Sequence, residues 1–185
     1  MLDIKQQEYL LALARDSICA ELEDREITLE ILDDEIFQQK FGAFVTLKID
    51  DELRGCIGYV EGVKSIIDTI IEMAKAAAFE DPRFLVVRKD EMEYIQIEIS
   101  ILSPLKEVES IDEIEIGRDG LIIRNHYSSG LLLPQVAIEW DWDKNEFLEQ
   151  TCQKAGLDKE AWKSKGNKLL RFSADFFSEK IKKRI

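Results

Sequence analysis

The sequence predicts an α+β protein with a largely antiparallel sheet, from two observations on a chain of 185 residues. Segments that alternate between apolar and polar residues are joined by hairpin-like turns, and three other segments have helical apolar spacing. The chain also lacks internal repeats and low-complexity linkers. A chain of this length forms one domain, with or without two lobes, and can bury a sizeable core.

Three segments have the apolar spacing of amphipathic helices. The first covers residues 6–21. The second covers 65–79 and ends before Pro82, because proline disfavours helical backbone in the residue that precedes it. The third covers 143–155; it starts with the residue types of a capping box and stops at Gly156, a favoured C-terminal cap.

Strands are predicted where apolar and polar residues alternate. The segment 94–101 alternates strictly, with its isoleucines on one side and Glu98 on the other, facing solvent, a second layer or a cleft. We expect this strand to share a sheet with 44–49, under the 65–79 helix, because each segment has one apolar face that needs a partner. The turn 50–51 makes a hairpin with the next strand. The remaining predicted strands are 53–59, 121–124 and 169–177.

Composition and charge favour a cytoplasmic protein that does not bind nucleic acid. The net charge of −13 repels phosphate backbones. The basic run at 180–184 is interpreted as a solvated tail in preference to a nucleic-acid or partner arm. No apolar run approaches the length of a membrane span, and the first residues do not have the pattern of a secretory signal.

Cysteine and histidine usage predicts reduced thiols, no metal site and no cofactor. Cys19, Cys56 and Cys152 form no C-x-x-C pair, and His126 is the single histidine, so no zinc-like spacing exists. A carboxylate site for a hard cation stays open. The P-loop, dinucleotide-binding, H-E-x-x-H and G-x-S-x-G motifs are absent from the sequence.

The segment LRGCIG contains the most unusual chemistry of the chain. Cys56 follows Arg54 and Gly55, so it could be a nucleophile with a lowered pKa and glycine N–H groups as an anion site. The alternative is a small buried residue on a bulged strand, where Gly55 and Gly58 allow a close backbone approach. A cysteine nucleophile needs a base and only His126 offers an imidazole, so the structural interpretation is favoured.

Two further positions have both a structural and a functional interpretation. Arg83 is expected to pair with a carboxylate such as Glu98, or alternatively to bind an anion in a cleft. The apolar segment 130–136 is interpreted as core ended by Pro134, with Gln135 capping a buried backbone group or contacting a ligand. The nearby aromatic residues are expected to pack in the core because they lack interleaved basic residues for base stacking. These residues are Trp140, Trp142, Phe147 and Trp162.

Several of these segments together resemble the AMMECR family, also called AmmeMemoRadiSam system protein A in microbes. They occur in order between about residue 8 and residue 177. They are FVTL at 44–47, LRGCIG at 53–58, DPRF at 81–84, EIS at 98–100, LSP at 102–104, GLLLPQVA at 130–137, and FL, TC and KAGL at 147–157, ending at Trp162.

The resemblance implies one AMMECR-type domain over 1–185, an α+β fold with a larger and a smaller lobe, and a cleft between the lobes. It implies a Memo-like protein and a radical-SAM protein as partners, because microbial members are often encoded beside them or fused to them. It implies no known reaction. Asp119 is a departure, since many relatives have a histidine there. The motif residues are Arg54, Gly55, Cys56, Gly58, Asp81, Pro82, Arg83, Glu98, Ser100, Pro134 and Gln135.

The leading hypothesis is a binding or accessory domain that holds a small ligand, peptide or partner in a cleft near LRGCIG and GLLLPQVA. The main alternative is an enzyme that uses Cys56 or Glu98 on a small anionic substrate. A nucleic-acid-related role is a third interpretation, which the net charge of −13 disfavours. The predicted ligand-binding residues are Arg54, Gly55, Gly58, Arg83 and Gln135.

Overall fold

The computed structural model describes residues 2–30, 32 and 34–180, and it confirms an α+β fold with antiparallel strand pairing. The described residues contain five α-helices and seven strands. In chain order these are α1 (Ile4–Leu22), α2 (Glu35–Gln38), β1 (Gly42–Ile49), β2 (Glu52–Tyr59), α3 (Ile66–Phe79), β3 (Gln96–Leu102), β4 (Lys106–Glu107), β5 (Asp119–Arg124), β6 (Ser129–Leu132), α4 (Pro134–Glu139), α5 (Lys144–Lys154) and β7 (Lys168–Ser178).

The chain divides into two compact units. Unit 1 comprises the residues up to Leu102 and from Asp175 onward, and unit 2 comprises Ser103–Ala174. The prediction of a single domain over 1–185 stays a prediction. Among the described residues, no helix combines the length and apolar character that a membrane span requires. Of the basic run at 180–184, only Lys180 lies within the described residues.

In unit 1 the strands lie in the order β2–β1–β3, with β1 antiparallel to both neighbours. Val45 in β1 lies opposite Ile57 in β2 and Ile99 in β3, so these side chains share one face. That face packs with α3 and α1 in one buried apolar cluster, which includes Ile70 and Leu13. The predicted arrangement, two alternating strands in one sheet under the 65–79 helix, is confirmed.

The β1–β2 hairpin follows the backbone chemistry expected of its sequence. Asp50 and Asp51 have φ angles of 52° and 67°, the left-handed conformation that aspartate tolerates better than most residues. The register shifts after Leu47, which is the predicted bulge. A Cβ on Gly55 would lie 2.2 Å from the Ala77 carbonyl oxygen of α3, so the predicted close backbone approach is also confirmed.

In unit 2, β7 pairs with β4 and β5, and β5 pairs with β6. Helix α5 places Phe147 and Leu148 in the core of this unit. The predicted capping box is confirmed: the Asp143 side chain accepts the Glu146 amide, and the Asp143 amide donates to the Glu146 carboxylate, both at 2.9 Å. Gly156 has a φ of 70°, as expected for a helix C-terminal cap.

Two predictions for unit 2 are wrong. Pro134 does not end an apolar core segment; it is the first residue of α4, where its missing N–H costs no helical hydrogen bond. Trp140 does not pack in the core, because it follows the end of this short helix on the surface and is 68% exposed. By contrast, Trp142 and Trp162 contact the buried cluster as expected.

Candidate functional site

The LRGCIG and DPRF segments meet at the outer edge of the unit 1 sheet, where β2 is the last described strand. The Cys56 backbone N–H donates to Asp81 Oδ2 at 2.9 Å, and its carbonyl accepts from Arg83 Nη2 at 3.2 Å. Both backbone groups of Cys56 are therefore satisfied by side chains in the place of a neighbouring strand. The same contacts anchor the loop after α3 to the sheet and protect its edge from pairing with another chain.

Asp81 and Arg83 form a well-defined ion pair. Arg83 Nε donates to Asp81 Oδ1 at 2.9 Å, Arg83 Nη2 donates to Oδ2 at 2.7 Å, and the Arg83 amide donates to Oδ1 at 3.1 Å. Hydrogen bonds from Arg83 hold the pKa of the Asp81 carboxyl well below its usual range, although burial opposes this effect. Asp81 is therefore a permanent acceptor at neutral pH, and it fixes the guanidinium orientation.

Arg83 differs from its partner in being open to solvent. Its side chain is 54% exposed, whereas that of Asp81 is 2% exposed. Nη1 of Arg83 has no hydrogen-bond partner among the residues that the structure describes. The guanidinium also lies 5.4 Å from the centre of the Phe84 ring. The expected ion pair of Arg83 with a carboxylate is confirmed, but its partner is Asp81, two residues away, and not Glu98, which pairs with Lys48.

Arg54, the other arginine of the motif segments, forms its hydrogen bonds with other residues of unit 1. It forms two hydrogen bonds with the Glu91 carboxylate, at 2.8 and 3.1 Å, and donates to the carbonyls of Leu85 and Val86 at 2.8 and 3.3 Å. Its side chain is 16% exposed. These contacts fasten the 85–91 segment to β2. The ligand-binding role of Arg54 stays a prediction.

A row of polar side chains crosses the sheet on the face opposite α3. Cys56, Thr46 and Glu98 are direct neighbours in the register of β2, β1 and β3. Thr46 Oγ1 donates to Cys56 Sγ at 3.2 Å, and Glu98 pairs with Lys48 Nζ at 2.9 Å. Glu98 thus faces away from the isoleucine side, as predicted, and lies buried next to a lysine. Ser100 lies next to Phe44 in the same register.

The surroundings of the Cys56 thiol do not favour its thiolate form. Burial raises its pKa, which outweighs the lowering effects of the Thr46 hydrogen bond and the Arg83 charge. The charge of Arg54, which the sequence placed beside this cysteine, is directed to Glu91 instead. The single histidine of the chain, His126, belongs to unit 2. The described residues of unit 1 therefore offer no imidazole base to Cys56.

The remaining predicted site residues have separate positions. Gly58, like Gly55, lies where a side chain would collide: a Cβ would come within 2.4 Å of the Phe44 ring. Gln135 lies on α4 in unit 2, half-buried, with no partner for its side chain among the described residues. Within the described part of the chain, no group of three or more His, Cys, Asp and Glu residues is arranged to hold a metal ion.

Sequence reasoning missed two contributors to this site. Asp81 was named as a motif residue without a partner, although the Asp-x-Arg spacing of DPRF is a local signal for an ion pair. Glu91 could not be found, because its contact with Arg54 joins residues 37 positions apart.

Comparisons with known proteins agree on one family. The model of the AMMECR1 family matches residues 11–177. A protein of Methanothermobacter thermautotrophicus is 47% identical, over 78% of this chain and 79% of its own length. Protein MJ0810 of Methanocaldococcus jannaschii is 41% identical, over 97% of this chain and 92% of its own. Among solved structures, the uncharacterized protein PH0010 of Pyrococcus horikoshii is similar, with a TM-score of 0.87, 37% identity, and coverage of 94% of this chain and 91% of that chain.

Proposed function

The chain belongs to the AMMECR1 family, and we propose that it is a binding or accessory domain that holds an anionic group of its ligand against Arg83. One observation supports this proposal above the others. Asp81 fixes one side of the Arg83 guanidinium with two hydrogen bonds, while Nη1 of this half-exposed side chain is left without a described partner. A guanidinium held in this way loses little conformational freedom when a carboxylate binds it.

The chemistry of Arg83 favours a carboxylate or another small oxyanion as the bound group. Its free Nη1 offers two N–H donors, and hydrogen bonds from a charged donor to an anionic oxygen are stronger than neutral ones. The adjacent Phe84 ring provides an apolar surface for the body of the ligand. A long polyphosphate or nucleic acid fits poorly, because the net charge of −13 opposes its approach.

We also propose that the chain acts with a Memo-like protein and a radical-SAM protein, on the support of the family resemblance alone. A carboxylate of either protein is one source of the anion, and a free metabolite is another. Mixing the chain with both proteins of its own organism and measuring co-elution separates these sources. We expect co-elution that Arg83→Gln weakens, and co-elution unchanged by that variant would contradict Arg83 as the contact.

A titration with citrate tests the binding site without knowledge of the natural ligand. We expect saturable shifts of the Cys56 and Arg83 amide signals in ¹H–¹⁵N spectra, absent when sodium chloride of equal ionic strength replaces citrate. Arg83→Gln should abolish the shifts, and Arg83→Lys should weaken them while retaining a charge beside Asp81. Arg118→Gln is the matched control, because all three side-chain nitrogens of this similarly exposed arginine already have partners. Shifts that persist in Arg83→Gln would refute the site.

The enzyme alternative, with Cys56 or Glu98 as the reacting group, makes a different prediction for the thiol. In a variant with Cys19→Ser and Cys152→Ser, only Cys56 can be labelled. We expect slow labelling below pH 7, because burial raises the pKa of Cys56. We also expect Cys56→Ser to cost roughly 1–3 kcal/mol of unfolding free energy, since a hydroxyl costs more to bury than the thiol it replaces. Fast labelling below pH 7, with an unshifted melting temperature for Cys56→Ser, would favour the enzyme.

A further inference from the structure

Unit 2 contains an open groove of about 460 Å³, and none of its lining residues belongs to the candidate site at Cys56 and Arg83. Four of the lining side chains are predominantly apolar and two are polar. We call it the tryptophan groove. It is lined by Leu132, Val136, Trp140, Trp142, Gln150 and Lys154.

The two tryptophans give the groove a preformed aromatic wall. Their rings lie 6.1 Å apart between centres and are inclined by only 18°. Asp141 between them has a φ of 52°, and the Trp142 amide donates to the Ala137 carbonyl at 2.9 Å. This hydrogen bond fixes the backbone of the turn that carries both tryptophans. Large aromatic side chains held in this way bury much area in a complex at a small entropic cost.

The apolar surface of the groove is open to solvent at Trp140, which is 68% exposed. Trp140 follows Glu139, the last residue of α4, and its side chain lies outside the core. Exposed tryptophan is characteristic of the energetic centres of protein–protein interfaces.

The polar part of the groove lining carries a positive charge, and this charge has no partner among the described residues. Gln150 and Lys154 are one helical turn apart on α5, so their side chains lie on the same face. Neither side chain has a hydrogen-bond or ion-pair partner among the described residues, whereas nearby Lys159 pairs with Glu149 at 3.3 Å. A free lysine beside an amide is the complement of a carboxylate, in a chain whose net charge is −13.

We propose that the tryptophan groove is a docking site for an acidic segment of a partner protein. An aromatic or branched apolar side chain of the partner fills the space between Leu132, Val136 and the tryptophans, and a neighbouring Asp or Glu of the partner pairs with Lys154. A protein is favoured over a small ring compound because Trp140, which is 68% exposed, offers aromatic surface to solvent as well as to the groove. Nucleic acid is disfavoured because the groove lining offers a single cation, Lys154, whereas binding a phosphate backbone takes several Lys or Arg contacts.

Selection from a phage-displayed library of random 12-residue peptides tests this site on the full chain. The library is panned on the wild-type protein after depletion on the Trp140→Ala variant. We expect enriched sequences that combine an aromatic or branched apolar residue with Asp or Glu. Trp140 and Lys154 are exposed, so substituting them leaves the core intact. The enriched peptide is then synthesised with a fluorophore, and its affinity is measured by anisotropy.

We expect Trp140→Ala and Lys154→Glu each to weaken peptide binding by about tenfold or more, which corresponds to about 1.4 kcal/mol. Lys165→Glu makes the same charge change on an exposed lysine of unit 2 outside the groove, and it should leave the affinity unchanged. Replacing the acidic residue of the peptide by Lys should abolish binding. No enrichment, enrichment of basic peptides, or equal affinity for indole-3-acetate alone would overturn the proposal, and so would concentration-dependent self-association through Trp140.

Discussion

Each unit of the molecule contains a buried aspartate beside a half-exposed arginine, yet the two ion pairs differ in which segments they connect. The side chains of Asp81 in unit 1 and Asp119 in unit 2 are both 2% exposed, and their partners Arg83 and Arg118 are 54% and 47% exposed. Both carboxylates accept two hydrogen bonds from the side chain of their arginine. Asp81 also accepts the backbone amides of Cys56 and Arg83, and Asp119 accepts that of Glu115. The pairs therefore match in burial and in the two hydrogen bonds between carboxylate and guanidinium.

They differ in what else each residue contacts. Asp81 accepts the amide of Cys56, which lies 25 positions away on β2, whereas Asp119 accepts the amide of Glu115, four positions away in the same turn. All three side-chain nitrogens of Arg118 have hydrogen-bond partners, since it also donates to the Glu115 carboxylate and to the Glu113 carbonyl. The pair in unit 1 joins distant segments and leaves one donor free. The pair in unit 2 closes a local turn, and its one distant ion-pair partner among the described residues is Arg171, 3.8 Å from Asp119. An ion pair alone does not indicate a binding site, and the proposal for Arg83 depends on its unused donor.

The largest effect we expect is on stability. Asp81→Ala should lower the free energy of unfolding by about 3 kcal/mol, because it leaves the Cys56 amide without its acceptor and Arg83 with only the Cys56 carbonyl. Asp119→Ala should cost about 1–2 kcal/mol, because Arg118 retains two partners and the Glu115 amide can bind water. Urea unfolding of both variants measures this difference. Equal losses would contradict the distinction between the two pairs.

The second and smaller effect is the dependence of folding stability on pH. Its sign is the same for Asp81 and Asp119. The folded pKa of Asp81 is lowered chiefly by hydrogen bonds from Arg83, and burial opposes this. For Asp119 burial is the largest influence and raises the pKa, but hydrogen bonds from Arg118 and the Glu115 amide outweigh it, so that the pKa is lowered. A lowered folded pKa adds stability that is complete above the unfolded pKa of about 3.9 and is lost as pH falls through the folded pKa.

We therefore expect the stability difference between wild type and Asp81→Asn to be largest at neutral pH and to shrink as pH falls below about 4. Asp119→Asn should show the same trend with a smaller amplitude, since the pKa of Asp81 is lowered further. Comparing each variant with wild type at every pH cancels the titration of the other carboxylates. A difference that stays constant or grows on acidification would contradict the assigned charges.

Most of the fold could be predicted because its signals are local. The alternation of 94–101, the Asp50–Asp51 turn and the capping box at Asp143 each depend on neighbouring residues, and each was found in the structure. Helices α2 and α4 were missed because four and six residues are too short for helical periodicity to emerge. Pro134 was misinterpreted for the same reason, since proline both ends apolar segments and begins helices.

The candidate site was predicted only in part, because its contacts depend on strand register and loop path. The positions of Arg83 and Cys56 follow from local motifs, and the pairing of Arg83 with its nearest acidic neighbour could have been found. The contacts of Arg54 with Glu91 and of Lys48 with Glu98 join residues that are 37 and 50 positions apart. Such pairs are set by how β1, β2 and β3 align, which no single segment encodes.

The reactivity of two arginines with phenylglyoxal tests the central claim most directly. Arg83 and Arg118 are matched in exposure and each pairs with a buried aspartate, so they differ chiefly in the free Nη1 of Arg83. We predict that peptide mapping by mass spectrometry finds faster modification of Arg83, and that citrate slows this modification while leaving Arg118 unaffected. Equal rates at the two arginines, or no protection of Arg83 by citrate, would contradict an anion site at Arg83.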